Sequence, residues 1–145
     1  MRFLQEPRQD AVASVLVVDD VAVWRVEVRK MLEMQPEFQI VGEACDGLQA
    51  IQKTAELNPD LILLDIGMPV LNGLEAAKQI QRISPRSKIV FLTQEPDADL
   101  RRAALNAGGE GYVLKGNAAS ELLDTIAAAL GNGHRAHQAG MLLRD

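Results

Sequence analysis

Leu61-Ile62-Leu63-Leu64-Asp65-Ile66-Gly67-Met68-Pro69 is the stretch on which the fold turns. Four aliphatic residues run directly into a carboxylate, and a glycine and a proline follow. A continuous apolar run this short reads as a strand buried on both faces, the habit of parallel sheets. Gly67 and Pro69 stop the run, which sets Asp65 at the strand's C-terminal end. In open parallel sheets that end is where ligands bind.

Working outward, similar runs recur. Val15-Leu16-Val17-Val18 is closed by Asp19-Asp20, and Phe38 to Ala44 is a less purely apolar strand. Lys88 to Leu92 ends in Thr93, and Gly111 to Leu114 ends in Lys115. Between the strands lie stretches of helical period: Val23 to Met34, Leu48 to Leu57, Leu74 to Ile83, Asp97 to Ala107 and Ala118 to Leu130. Asp97 caps the fourth helix and Gly108-Gly109 ends it. Five strands alternating with five helices predict an α/β domain with helices on both faces. Right-handed crossovers then favour a flavodoxin-like (βα)5 doubly wound parallel sheet of strand order 2-1-3-4-5. The expected domain spans residues 14–131, with a flexible lead over 1–13 and a tail over 132–145.

At 145 residues and 48% hydrophobic, the chain suits one domain with a full core. Aromatics are only 3%, so that core is aliphatic. A formal net charge of -5 argues against nucleic-acid binding by this chain. The single cysteine, Cys45, excludes an internal disulfide and reads as a small buried hydrophobe in a reducing compartment. No segment reads as a membrane span or a signal peptide, so no membrane is expected as a partner and the expected location is cytoplasmic. His134 and His137 have no acidic or cysteine neighbour in the tail and carry no metal reading.

The strand ends collect the chemistry. In a doubly wound sheet, Asp19, Asp20, Asp65, Thr93 and Lys115 meet along one edge. Three carboxylates repel one another and should recruit a cation. An all-oxygen site without histidine or cysteine suits Mg²⁺, which keeps waters and shares phosphate oxygens. Lys115 adds a second positive charge and Thr93 a hydroxyl donor. A nucleophile, a metal and donors for equatorial oxygens are what phosphoryl transfer to a carboxylate needs.

On five motifs the sequence resembles the receiver domains of two-component response regulators. They are Val17-Val18-Asp19-Asp20, Leu63 to Pro69, Asn72-Gly73, Val90 to Thr93 and Gly111 to Lys115. The resemblance implies that Asp65 accepts a phosphoryl group from a histidine kinase or histidine phosphotransfer protein. It implies Mg²⁺ held by Asp20, Asp65 and the Gly67 carbonyl, with Asp19 acting through water. Lys115 would pair with Asp65 and then with the phosphate; Thr93 would swing toward the phosphate and Tyr112 would follow. The outcome would be an altered face for an unknown downstream protein, with a weak homodimer on phosphorylation. Such a protein has autocatalytic phosphotransfer and autodephosphorylation but is not an enzyme acting on a metabolite.

The wording around Asn72 to Ala77 and Gly111 to Lys115 is similar to receivers that precede a helix-turn-helix. None is readable after Gly133, so a stand-alone receiver is expected, a fragment being the alternative. Gln94 and Glu95 depart from the family pattern beside Thr93. They keep open a receiver-like interaction module that is never phosphorylated. A Mg²⁺-dependent aspartyl phosphatase is a third reading, disfavoured because Asp19-Asp20 lacks the Asp-x-Asp spacing and no cap insertion exists. Trp24, one helical turn beyond Asp20, reads as a packing residue that also reports Mg²⁺ binding.

Overall fold

A computed structural model describes residues 12–131; the expected tail, with His134 and His137, and all but Val12 and Ala13 of the expected lead lie outside them. The strands are β1 (Ala13–Val18), β2 (Phe38–Ala44), β3 (Leu61–Leu64), β4 (Lys88–Thr93) and β5 (Gly109–Leu114). The helices are α1 (Ala22–Glu33), α2 (Gly47–Leu57), α3 (Gly73–Ile83), α4 (Ala98–Asn106) and α5 (Ala118–Leu130). A single 3₁₀ turn, Lys115–Asn117, links β5 to α5. All strand pairs are parallel and the order is β2-β1-β3-β4-β5, as the alternation predicts.

Adjacent residues of each strand point to opposite faces, so the sheet divides the core in two. On one side Leu16, Ile62, Leu64 and Phe91 pack with Ala50, Ala77, Ile80 and Ala104 of α2, α3 and α4. On the other, Val17, Leu61, Leu63 and Val90 pack with Val28 and Leu32 of α1 and Leu122 and Ile126 of α5. β3 is fully buried along its length, which explains its unbroken aliphatic sequence.

Three helices begin at a side-chain cap. Asp46 accepts from the Gln49 N–H at 2.8 Å, Asn72 from that of Glu75 at 3.0 Å, and Asp97 from those of Asp99 and Leu100. Each such cap contributes about 1 kcal/mol. Helix α1 has none: Val21 holds the cap position, so nothing in the sequence marks the start at Ala22. β5 begins two residues before the expected Gly111. Gly108, at φ +110°, ends α4 by itself, and Gly109 already belongs to the strand.

Gly73 sets the distance between α3 and the end of β3. Its N–H donates to the Ile66 carbonyl at 2.8 Å, and a Cβ there would lie 2.0 Å from the Asp65 carbonyl oxygen. Only glycine allows the helix to start so close to the residue that carries the carboxylate.

The opposite, amino-terminal edge of the sheet holds a second polar cluster. Ser14 donates its N–H to Asp60 Oδ2 at 2.8 Å, and the Asp60 N–H donates to Ser14 Oγ at 2.9 Å. Arg86 reaches Asp60 Oδ1 at 2.8 Å and the Asn58 carbonyl at 2.9 Å. Ser84 and Ser87, both buried, bond one another, and Ser84 also donates to Asn58 Oδ1 at 2.8 Å.

Candidate functional site at the carboxyl edge

Two strand ends deliver the three carboxylates, β1 leading into Asp19 and Asp20 and β3 into Asp65. The Asp19 N–H donates to the Ala44 carbonyl and the Asp65 N–H to the Val18 carbonyl, both at 3.0 Å, so the ladder fixes both backbones one residue past β1 and β3. Asp19, Asp20 and Asp65 each offer a carboxylate oxygen, all within 4.8 Å of one another. Asp19 and Asp65 are buried and Asp20 is exposed, so the cluster opens to solvent on the Asp20 side. Thr93 is buried at the end of β4 and Lys115 just beyond β5.

The Lys115 ammonium lies 2.7 Å from Asp19 Oδ2 and 3.7 Å from Asp65 Oδ2. Asp19 is therefore its nearer partner, and the expected pairing with Asp65 is present as a longer ion pair. The remaining oxygens are bonded locally: Asp19 Oδ1 accepts from the Val21 N–H and Asp65 Oδ1 from that of Ile66, both at 2.9 Å. Lys115 leaves Asp65 undercompensated. Burial, chiefly, and the Asp19 charge next push the Asp65 carboxyl up to about 6, against the pull of Lys115 and the Ile66 N–H. A carboxylate that resists ionisation is one that a further cation would relieve.

The cavity in front of Asp65 has a volume of about 190 Å³ and is bounded by Asp20, Gly67, Thr93 and Lys115, with Gln94 and Glu95 on its wall. The donor set is hard oxygen throughout, with three carboxylates converging and no imidazole or thiol among them. Gly67 adds a wall with no side chain. These residues fit a small divalent cation such as Mg²⁺.

Of the expected site residues, Asp19, Asp20, Asp65, Gly67, Thr93 and Lys115 come together; Tyr112 does not join them. Its hydroxyl donates to the Glu95 carbonyl at 2.6 Å, and its ring lies 6.0 Å from the Arg101 guanidinium. It faces a second hollow of about 360 Å³ between α4, β5 and α5, with Asp97, Asn117 and Glu121. Burial, with Asp97 and Glu95 nearby, raises the phenol above its usual range. Glu95 connects the two hollows, since its N–H also reaches Thr93 Oγ1 at 3.4 Å.

Sequence reasoning missed Arg25 and the full part of Trp24. Arg25 donates to the Asp19 carbonyl at 2.7 Å and to Glu43 at 3.0 Å, bracing the loop that carries two carboxylates. The Trp24 ring centroid is 5.1 Å from Lys115 Nζ. Position on the first helix turn after Asp19-Asp20 was the available signal for both. Cys45 is half-buried rather than fully buried, and its thiol donates to Gln49 Oε1 at 3.3 Å.

A parallel α/β sheet with three carboxylates and a buried lysine at its carboxyl edge defines an acidic phosphoacceptor site of two-component signalling. The chain belongs to the response regulator receiver domain family, whose pattern matches residues 15–127. It is 40% identical over 115 residues to the transcriptional regulatory protein LiaR of Bacillus subtilis (strain 168), across 79% of this chain and 54% of that protein. The chain spans about half the length of the curated relatives it matches. Among solved structures it is similar to the response regulator domain of Thermotoga maritima CheB, at 35% identity and TM-score 0.77, covering 83% of this chain and 97% of that one. A LuxR-family two-component response regulator from Aurantimonas sp. SI85-9A1 superposes with TM-score 0.79 at 30% identity, covering 83% and 86%. Among the described residues no helix is long and apolar enough to cross a membrane.

Proposed function

We propose that this protein is a phosphorylation-controlled switch in which Asp65 is the phosphoacceptor. The observation that carries the reading is Asp65 itself: a buried carboxylate at the end of β3 that lines a cavity and is flanked by Asp19, Asp20 and Lys115. An Asp65 oxygen attacks phosphorus, the phosphorus–nitrogen bond of a donor phosphohistidine breaks, and its electron pair stays on the imidazole nitrogen. Water attack on phosphorus later cleaves the new phosphorus–oxygen bond and regenerates the carboxylate.

Asp19, Asp20, Asp65 and the Gly67 carbonyl would hold Mg²⁺, which when bound neutralises charge on the carboxylates and the transferring group. Lys115 offers two further N–H donors beyond the one directed at Asp19, and Thr93 offers a hydroxyl. Those donors meet oxygens that gain charge during transfer. Glu95, bonded to both Thr93 and Tyr112, links a shift of Thr93 to the α4–β5–α5 face, where a downstream protein or a second copy would read the change. The donor is a histidine kinase or histidine phosphotransfer protein, in a cytoplasmic setting that suits the lone thiol of Cys45. The chemistry is self-directed, with no separate metabolite turned over.

The test is intact mass after incubation with Mg²⁺ and acetyl phosphate, with Asp65→Ala alongside. An adduct on the native chain and none on the variant is expected. A second reading has its own support, because Gln94 and Glu95 stand on the wall of the cavity. No adduct from acetyl phosphate or from a panel of phosphorylated histidine kinases would replace the switch with a receiver-like interaction module.

A further inference from the structure

Lys115 is an unusual cation. It is buried, yet only one carboxylate oxygen lies within hydrogen-bond distance, Asp19 Oδ2 at 2.7 Å; Asp65 Oδ2, at 3.7 Å, lies outside it. An ammonium has three donors and needs compensation in each direction from which water is excluded. On a further side the compensation is aromatic: the Trp24 ring centroid lies 5.1 Å from Nζ, inside the range at which a ring face attracts a cation. Trp24 is the sole tryptophan of the chain and belongs to α1, the helix that follows directly from Asp19-Asp20. The two groups nearest the lysine therefore both come from the β1–α1 segment, and the Asp65 carboxylate from β3 is its more distant ion-pair partner.

We propose that Trp24 is a positioning residue that holds the Lys115 ammonium on the Asp19 side of the pocket and restrains its move to Asp65. The inference rests on the phosphoacceptor reading above and deepens it, since it adds a restraint on the resting state. A phosphoryl group on Asp65 must draw Lys115 away from the ring, and the ring's attraction opposes that step. Removing the ring face makes the lysine easier to recruit. A ring–cation attraction of the usual strength at a partly exposed ring corresponds to about a two- to fivefold effect.

Two measurements test the proposal. The first needs no phosphodonor. Trp24 emission is compared among the native chain, Lys115→Arg and Lys115→Met. The arginine variant, which keeps a cation, should emit like the native chain, and the methionine variant should differ. Identical emission from native and methionine chains overturns the proposal. The second is the rate of adduct formation from acetyl phosphate and Mg²⁺ for native, Trp24→Phe and Trp24→Leu. Leucine should accelerate phosphorylation about two- to fivefold, and phenylalanine, which keeps a ring face, should stay near native.

Equal rates for all three, or slowing by leucine with phenylalanine equally slow, overturn the proposal while leaving Asp65 as acceptor. If the native chain takes no phosphoryl group, the switch reading fails by itself, and the emission comparison still decides whether Trp24 holds Lys115.

Discussion

Neutralising Asp65 should stabilise the fold. In Asp65→Asn the amide oxygen can still accept from the Ile66 N–H, now at 2.9 Å from Oδ1, and Lys115 keeps its 2.7 Å partner Asp19. What disappears is a buried charge whose pKa stands at about 6 against an ordinary 3.8. At about 1.4 kcal/mol per unit, the strain of ionising Asp65 in the folded chain is on the order of 3 kcal/mol. Allowing for imperfect bonding of the new amide, the variant should gain about 2 kcal/mol at pH 8, or about 6 °C in Tm for a domain of this size.

The sign of the pH dependence follows from the raised pKa. Between about pH 4 and pH 6 the folded state holds more protons than the unfolded state, so native stability falls as pH rises through that window. Below it both states are protonated and the strain is absent; above it the strain is complete. Urea unfolding of the two chains at pH 4 and pH 8 therefore gives near-coincident midpoints at the lower value and a more stable variant at the higher. Saturating Mg²⁺ at pH 8 should raise the native midpoint and narrow the gap, because a cation bound to the folded state alone adds stability by mass action. A native chain as stable as Asp65→Asn at pH 8, or a gap that is the same at both pH values, would refute the reasoning.

Two further outcomes are expected. Gly73→Ala drives a methyl to within 2.0 Å of backbone, so it should cost about 3 kcal/mol by urea unfolding, whereas Gly67→Ala, with nothing within 4 Å of its added carbon, should change stability by less than about 0.5 kcal/mol; equal costs would sink the packing argument. Mg²⁺ titration should change Trp24 emission, since Asp19, Lys115 and the ring are in serial contact; a flat titration up to saturating metal would remove Trp24 as a reporter.

The fold was readable because β1, β3 and β4 each contain an apolar run stopped by a charged or hydroxyl residue, with the less apolar β2 and β5 fitting the same alternation. Burial on two faces leaves β3 no room for a polar residue, so Leu61 to Leu64 announces itself. The same logic located Asp19, Asp20, Asp65, Thr93 and Lys115, because a parallel sheet brings the ends of alternate segments to one edge. Boundaries set by backbone conformation were harder. Nothing distinguishes Gly108, which needs positive φ, from Gly109, which starts a strand, and Val21 carries no capping side chain.

Partner choice inside the site was illegible for a different reason. Whether a lysine settles on Asp19 or Asp65 depends on about 1 Å of geometry, 2.7 Å against 3.7 Å, which no spacing in the sequence encodes. The approach of Trp24 to that lysine is a meeting of α1 with the end of β5, across ninety residues of chain. Tyr112 was correctly placed on the last strand, but its hydrogen bond to the Glu95 carbonyl sets it in a different hollow from the carboxylates.

The polar cluster at the far edge of the sheet has a mechanical consequence. Ser14, Asp60 and Arg86 tie the segments entering β1, β3 and β4 by direct bonds of 2.8 to 2.9 Å that hold whatever occupies the opposite edge. At the carboxyl edge β1 and β3 end in carboxylates that repel one another and depend on a single buried lysine to offset them. The domain is clamped like a book at its spine while its fore-edge stays responsive. On the phosphoacceptor reading, a change of charge at Asp65 would be felt by the strand ends and the loops beyond them, while the bonds at the far edge would keep strand register and give the molecule one reference geometry to return to.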